Sequence, residues 1–203
     1  MPTTPVQSPD SLPVKVFRNQ KAWEDWLAKH FDSTPGVWIR MAKKSSGLKS
    51  VSLSEALDTA LCYGWIDGLR KSLDEQTFLQ RYTPRGARSV WSKINRAKAL
   101  ALIDQGRMQP SGLAAIEQAK RNGRWESAYD SFRTATLPAE LRKALDRKPR
   151  AKAFFGKLSS QNRYAILFRI QTAKKPETKQ KRIDEFVAML ERGETLYPQS
   201  KRA

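Results

Sequence analysis

Every strand-like alternation in this chain lies before Ser89, and after it only helix punctuation recurs, so one sheet running through the whole chain is excluded. Val37 to Lys43 sets Val37, Ile39 and Met41 against Trp38, Arg40 and Ala42, a period of two that predicts a strand. Trp65 to Leu73 and Gln76 to Tyr82, separated by Asp74-Glu75, predict an antiparallel pair. Trp23, Trp26, Leu27 and His30 fall at i, i+3, i+4 and i+7, one face of a short helix that Pro35-Gly36 ends. Ser52 with Glu55 forms a capping-box pattern for a helix reaching Tyr63, and Gly64 suits the left-handed position that closes it.

Beyond Ser89 the signals change. Ser89 or Ser92 can cap a helix running to Gly106, and Pro110-Ser111-Gly112 opens another that stops near Gly123. Pro138 and Pro149 sit where first turns begin, and Ser159 or Ser160 can cap the Tyr164 to Thr172 segment. Pro176-Glu177 opens a last helix with Ile183, Phe186, Val187 and Leu190 on one face. The expected fold is α+β: a small antiparallel sheet with two helices on the N-terminal side, followed by an all-helical C-terminal bundle. Its expected parts are a flexible leader (1–13), a mixed α/β subdomain (14–90), a helical subdomain (91–197) and a tail (198–203).

At 203 residues the chain is one domain or two small ones. A single Cys (Cys62) and a single His (His30) exclude a disulfide framework and any zinc site needing several such ligands. No metal or cofactor is expected. No uncharged run approaches the about 20 apolar residues of a membrane-spanning helix. The opening, with Pro2, Pro5, Pro9 and Pro13, has neither a basic nor an apolar segment of a secretory signal, so the expected location is a reducing cytoplasm.

Lys and Arg number 38 against 20 Asp and Glu, a net charge of +18 that favours acidic partners. Arg142 to Arg182 alone holds fourteen basic residues and two acids. Two readings stand for this stretch. It is a set of solvated helix faces, or it is a polyanion surface built by Arg163, Arg169, Lys174, Lys175, Lys179, Lys181 and Arg182, where phosphates replace condensed counterions. No aromatic RNA-binding strand, KH loop or zinc-finger spacing accompanies it.

Two segments carry candidate chemistry. In ALCYGWIDG, Ala60 to Gly68, Asp67 lies next to Gly68, which would let a backbone or a ligand come close; otherwise Asp67 caps a turn or pairs with an Arg. In YTPRGARSVWSKINR, Tyr82 to Arg96, the residues Arg85, Arg88, Ser92, Lys93 and Asn95 cluster at the opening of a helix, a combination suited to a phosphate or carboxylate. The alternative there is a helix cap with surface arginines. Lys43 and Lys44 would add charge if the sheet brought them beside Arg85. Asp67 or Tyr82 would supply acid–base chemistry in an enzyme. His30, on the tryptophan face, reads as a packed ring, and Cys62 as a buried thiol.

The strings VWIRMAKK, ALCYGWIDG, YTPRGARSVWSKINR, GRM at Gly106, GRW at Gly123 and NRYAILFRIQTAKKPETKQKRI from Asn162 give the chain a resemblance to the YdeI/OmpD-associated family, also called bacteriocin-protection proteins. The resemblance runs from about Val14 to Tyr197. It implies a small soluble bacterial protein with a mixed N-terminal part and a helical C-terminal part, linked by name to tolerance of cationic peptides or bacteriocins, with no agreed catalytic residues. The expected function is a cytoplasmic basic protein that binds nucleic acid or another polyanion, with a polar site where its halves meet near Tyr82 to Arg96. The alternatives are an enzyme for a small phosphorylated or carboxylated substrate near Asp67 and Arg85, and an interaction protein for an acidic protein or the inner leaflet.

Overall fold

The computed structural model describes residues 12–131 and 134–199. The expected leader up to residue 11, and the tail from residue 200, lie outside the described residues. The element order is β1 (Val14–Lys15), α1 (Gln20–His30), β2 (Val37–Ala42), α2 (Leu53–Cys62), β3 (Trp65–Ser72), β4 (Thr77–Pro84), α3 (Lys93–Asp104), α4 (Pro110–Arg121), α5 (Ala139–Asp146), α6 (Pro149–Lys157), α7 (Ser160–Gln171) and α8 (Pro176–Glu191). The α+β class stands, but the sheet is mixed rather than antiparallel. Its order is β1-β2-β4-β3, and β1 runs parallel to β2, with Val14 opposite Trp38. The reason is connectivity: α1 lies between the two strands and supplies the crossover that a parallel pair needs.

The chain forms two compact units. Of the described residues, the first comprises 12–89 and 95–126, so the helices α3, from Asn95 onward, and α4 group with the sheet; the second comprises 90–94, 127–131 and 134–199.

In the first unit, Asn19 caps α1 by accepting from the Ala22 amide, and Ser52 and Glu55 close the capping box at α2. Trp23 is fully buried and stacks on Trp26 at 5.4 Å, with Tyr82 at 5.6 Å and Trp65 edge-on at 6.3 Å. Both buried indoles keep their N–H bonded: Trp23 donates to the Ala56 carbonyl at 3.1 Å and Trp65 to the Phe31 carbonyl at 2.9 Å. The His30 ring packs beside Trp26 at 4.8 Å. Lys98 on α3 reaches Asp58 on α2 at 2.6 Å.

Helix α4 docks on the end of α2 through two glycines. Gly64 has φ +74, and a Cβ there would stand 2.8 Å from the Ser111 carbonyl oxygen. At Gly112 an added Cβ would fall 2.2 Å from the Cys62 carbonyl oxygen. That carbonyl also accepts from the Gln109 amide at 3.0 Å, so backbone meets backbone across the joint.

In the second unit, α5 to α8 close around Leu141, Leu145, Phe155, Leu158, Ile166, Ile170, Ile183 and Leu190. Ser159 caps α7 as expected. Asn162, 1% exposed, donates to the Tyr197 carbonyl at 3.0 Å and accepts from the Tyr197 amide at 2.9 Å, tying the segment after α8 to α7.

Gly112→Ala should lower stability by about 1–3 kcal/mol, because overpacking against a fixed carbonyl outweighs the about 1 kcal/mol that Ala gains over Gly inside a helix. Urea unfolding checks this. A variant as stable as the parent would mean that the α2–α4 joint gives way without cost.

Candidate functional site

The first unit places Asp67, Tyr82 and Arg85 near the same end of the sheet. The register pairs Val37 with Tyr82 and Tyr82 with Asp67, so all three share the face that meets Trp23. Loss of water around the Asp67 carboxyl raises its pKa above the usual carboxylate range, while its own backbone amide, Arg85 and Arg70 pull it back. Burial, with Asp67 adding to it, lifts the Tyr82 phenol above its ordinary value, so that hydroxyl stays protonated at neutral pH. The Tyr82 oxygen is buried without a hydrogen-bond partner among the described residues.

The glycine beside Asp67 leaves room for a side chain of this protein. A Cβ on Gly68 would stand 3.1 Å from Arg81 Nε, so the guanidinium of Arg81 fills that space, 5.9 Å from the Trp38 ring. The strand is irregular between Asp67 and Arg70, and the Gln80 side chain donates to the Gly68 carbonyl at 3.0 Å there.

Arg85 follows β4, and its amide donates to the Gly64 carbonyl at 2.9 Å, which joins the end of β4 to the α2–β3 turn. It lines a cleft of about 380 Å³ together with Asp32, Trp65, Gln118 and Arg121; neither Asp67 nor Tyr82 lines it. Arg85 is thus common to both: it lines the cleft and its charge acts on the Asp67 carboxyl, which does not line it.

Lys43 and Lys44 do not join Arg85. Ala42 pairs with Thr77 at the start of β4, whereas Arg85 follows its end, about 26 Å away along the strand. Lys43 instead donates to the Asp74 carbonyl at 2.8 Å, beside the Arg40–Asp74 ion pair at 3.2 Å. Arg88 is exposed, and Asn95 is half-buried in the first turn of α3.

Ser92 and Lys93 belong to the second unit. Ser92 forms a bridge with Tyr129, and the Lys93 amide donates to the Tyr129 carbonyl at 2.9 Å, so this helix start is occupied by the protein's own backbone. The Lys93 ammonium lies 2.7 Å from Asp130, a carboxylate 18% exposed that also accepts from Gln171 at 3.1 Å. Lys93 thus already holds an acid.

On the C-terminal helices the expected cations divide by role. Arg163 donates to the Phe155 and Gly156 carbonyls at the end of α6, Arg169 to the Ala165 carbonyl, and Arg182 to the Arg169 carbonyl. Lys179 pairs with Glu140 at 2.5 Å and Lys181 with Glu185 at 4.0 Å. Lys174 and Lys175 are exposed at the α7–α8 connection.

Residues 134–193 match the family model described as Bacteriocin-protection, YdeI or OmpD-Associated. That match is direct but partial, and it covers the C-terminal helices alone. Residues 15–115 match a second model, Domain of unknown function (DUF8412). No curated protein and no solved structure matches the chain. Among the strings quoted above, NRYAILFRIQTAKKPETKQKRI lies within the YdeI/OmpD-associated match; the four from VWIRMAKK to GRM lie within the second, and GRW lies in neither.

The YdeI/OmpD-associated segment also presents cations that the sequence reading passed over as individual site residues. Arg142 and Lys143 on α5, Arg147 after it, and Arg150 and Lys157 on α6 are exposed, and none forms an ion pair among the described residues. Their signal was present in the Arg142 to Arg182 count, which does not distinguish a paired cation from an unpaired one. In the first unit, Asp32, Gln118 and Arg121 were missed as cleft residues because they come from the turn after α1 and from α4, far from Arg85 in sequence. No described helix is long and apolar enough to cross a membrane.

A raised carboxyl pKa means that the folded chain holds the Asp67 proton more tightly than the unfolded chain. Its contribution to stability is then fully present below the unfolded value of about 3.9 and declines as pH rises through the higher folded value. Asp67→Asn should therefore be more stable than the parent at pH 7 and no more stable at pH 3. Urea midpoints of both proteins at the two pH values check this; the same difference at both would remove the linkage.

Proposed function

We propose that this protein is a non-catalytic, cytoplasmic anion-binding protein that holds nucleic acid through the cations of α5 and α6 and acts in tolerance of bacteriocins or related stress. What supports the reading is the cluster Arg142, Lys143, Arg147, Arg150 and Lys157, five exposed cations with no acid paired to them among the described residues. Glu140, Asp184 and Glu191 share a cleft with Lys143 and Arg147, yet the stretch keeps a large positive excess, which is unusual on a surface without a use. The arginines that bond helix carbonyls keep their charge, so Arg163, Arg169 and Arg182 still add to the field while holding fixed positions. A flexible phosphate chain meets such a surface by displacing counterions, which requires no dedicated pocket.

The link to bacteriocins comes from the description of the family that residues 134–193 match, and it enters here as part of the proposal. The buried Cys62 thiol, pushed up to about 11 by burial, suits a reducing compartment where a lone thiol has no structural partner.

The test is fluorescence anisotropy of a labelled DNA duplex and a labelled RNA against nuclease-treated protein over a salt series. Five neutralised phosphates on the duplex give a slope of log affinity against log salt of about −4.5. The triple variant Arg142→Glu, Arg147→Glu, Arg150→Glu should bring the slope to about −2 without changing the melting temperature. Absence of binding at low salt, or a triple variant that binds like the parent, overturns the reading.

A further inference from the structure

The cleft of the first unit carries three charged side chains over an apolar floor, and the pattern of charges defines a class of ligand. Phe31, Tyr63, Trp65 and Pro84 form one wall, and Ala114 and Ala115 on α4 form the other. Polar groups stand among them: Arg85 from the end of β4, Arg121 from the last turn of α4, Gln118 one turn before it, and Asp32 just after α1. A volume of about 380 Å³ sits at the small end of the about 300–1,000 Å³ range of small-molecule sites.

The walls are fixed before any ligand arrives. Trp65 is 1% exposed and its indole N–H bonds the Phe31 carbonyl at 2.9 Å, so two aromatic lining residues are tied to each other. Gly64 lies in the cleft lining, and its close approach to Ser111 and Ala115 sets the distance between the aromatic wall and α4. Small residues on α4 keep that distance short while leaving the space above it unfilled. A preformed cleft of this kind loses little freedom on binding.

Asp32 and Arg121 make no ion pair or hydrogen bond through their side chains among the described residues. Two guanidinium groups and one carboxylate line this apolar cleft, and Asp67 acts on Arg85 from outside it, a balance that does not match a plain polyanion, which Asp32 would repel. Nor do they match an amine, which the two arginines would repel. They match a molecule with an anion and a cation at one end and an apolar body at the other.

We propose that this cleft binds a free α-amino acid with an apolar side chain. Its carboxylate takes the Arg121 fork, with the Arg85 guanidinium, whose Nε and Nη2 are buried, adding positive charge beside it; its ammonium takes Asp32, and its side chain lies between the aromatic wall and Ala114 and Ala115. Arginine forks suit a carboxylate because they offer two parallel donors. The site is distinct from the cations of α5 and α6, so it stands or falls apart from nucleic-acid binding.

The experiment is a two-dimensional amide NMR titration of the full-length protein with L-phenylalanine, L-leucine and L-methionine. 3-Phenylpropionate, which lacks the ammonium, and phenethylamine, which lacks the carboxylate, serve as comparisons. The expected result is saturable shifts from at least one amino acid at Gly64, Trp65, Arg85 and residues 111–121, with each truncated analogue of phenylalanine about tenfold weaker or more. Asp32→Asn and Arg121→Gln should each weaken the amino acid by about tenfold while leaving melting temperature and duplex binding unchanged. Asp32→Asn should leave 3-phenylpropionate unaffected or bind it more tightly. No saturation by any of the three amino acids up to about 10 mM overturns the proposal, as does 3-phenylpropionate binding as tightly as phenylalanine. Unchanged amino-acid affinity in Asp32→Asn overturns it equally.

Discussion

Helix α4 can meet the end of α2 only where neither backbone carries a side chain in the way. Gly64 and Gly112 supply that condition from opposite sides, and the Cys62 carbonyl receives the Gln109 amide in the gap that results. The same joint receives the end of β4, through the bond from the Arg85 amide to the Gly64 carbonyl. Helix, turn and strand therefore meet at one glycine, and the cleft opens where they part. The aromatic cluster around Trp23 provides the mass of the core, as burial of large rings does in any small domain. It does not determine where α4 sits; the two glycines do.

The second unit shows a different use of charge. Helices as short as α5 and α6 leave unsatisfied carbonyls close to one another, and long basic side chains reach them at modest cost in packing. Arg163 on the α6 carbonyls, with its guanidinium 5.3 Å from the Phe155 ring, and Arg169 against Tyr197 are of this type. A basic composition is thus partly a structural device here. The cations left over for partners are those on and after α5 and on α6 that form no ion pair among the described residues, although Lys143 and Arg147 share a cleft with Glu140, Asp184 and Glu191.

Several elements were legible because their causes are local. The Ser52–Glu55 box, Ser159 before α7, and proline in the first turns of α4, α6 and α8 are all satisfied within a few residues of chain, so the sequence pattern and the structure coincide. Strand β1 was not legible. Two residues show no periodicity, and Val14 and Lys15 become a strand only because β2 offers an edge and α1 returns the chain alongside it. The partners of Ser92 and Lys93 were not legible for a related reason. Nearness in sequence cannot show that Tyr129 and Asp130, more than thirty residues on, engage Ser92 and Lys93 first. Lys43 was a question of register, and register depends on which strand pairs with which.

The sequence by itself determined the class of fold, the position of nearly every helix start, the excess of positive charge and the match of residues 134–193 to the YdeI/OmpD-associated model. These follow from periodicity, capping and composition, which act over a turn or two of chain. Tertiary structure decided which cations are answered and which are not, that the space beside Gly68 belongs to Arg81, and that Asp32, Arg85 and Arg121 line one cleft. Those outcomes depend on distances between segments, and a distance between segments is fixed by what packs between them.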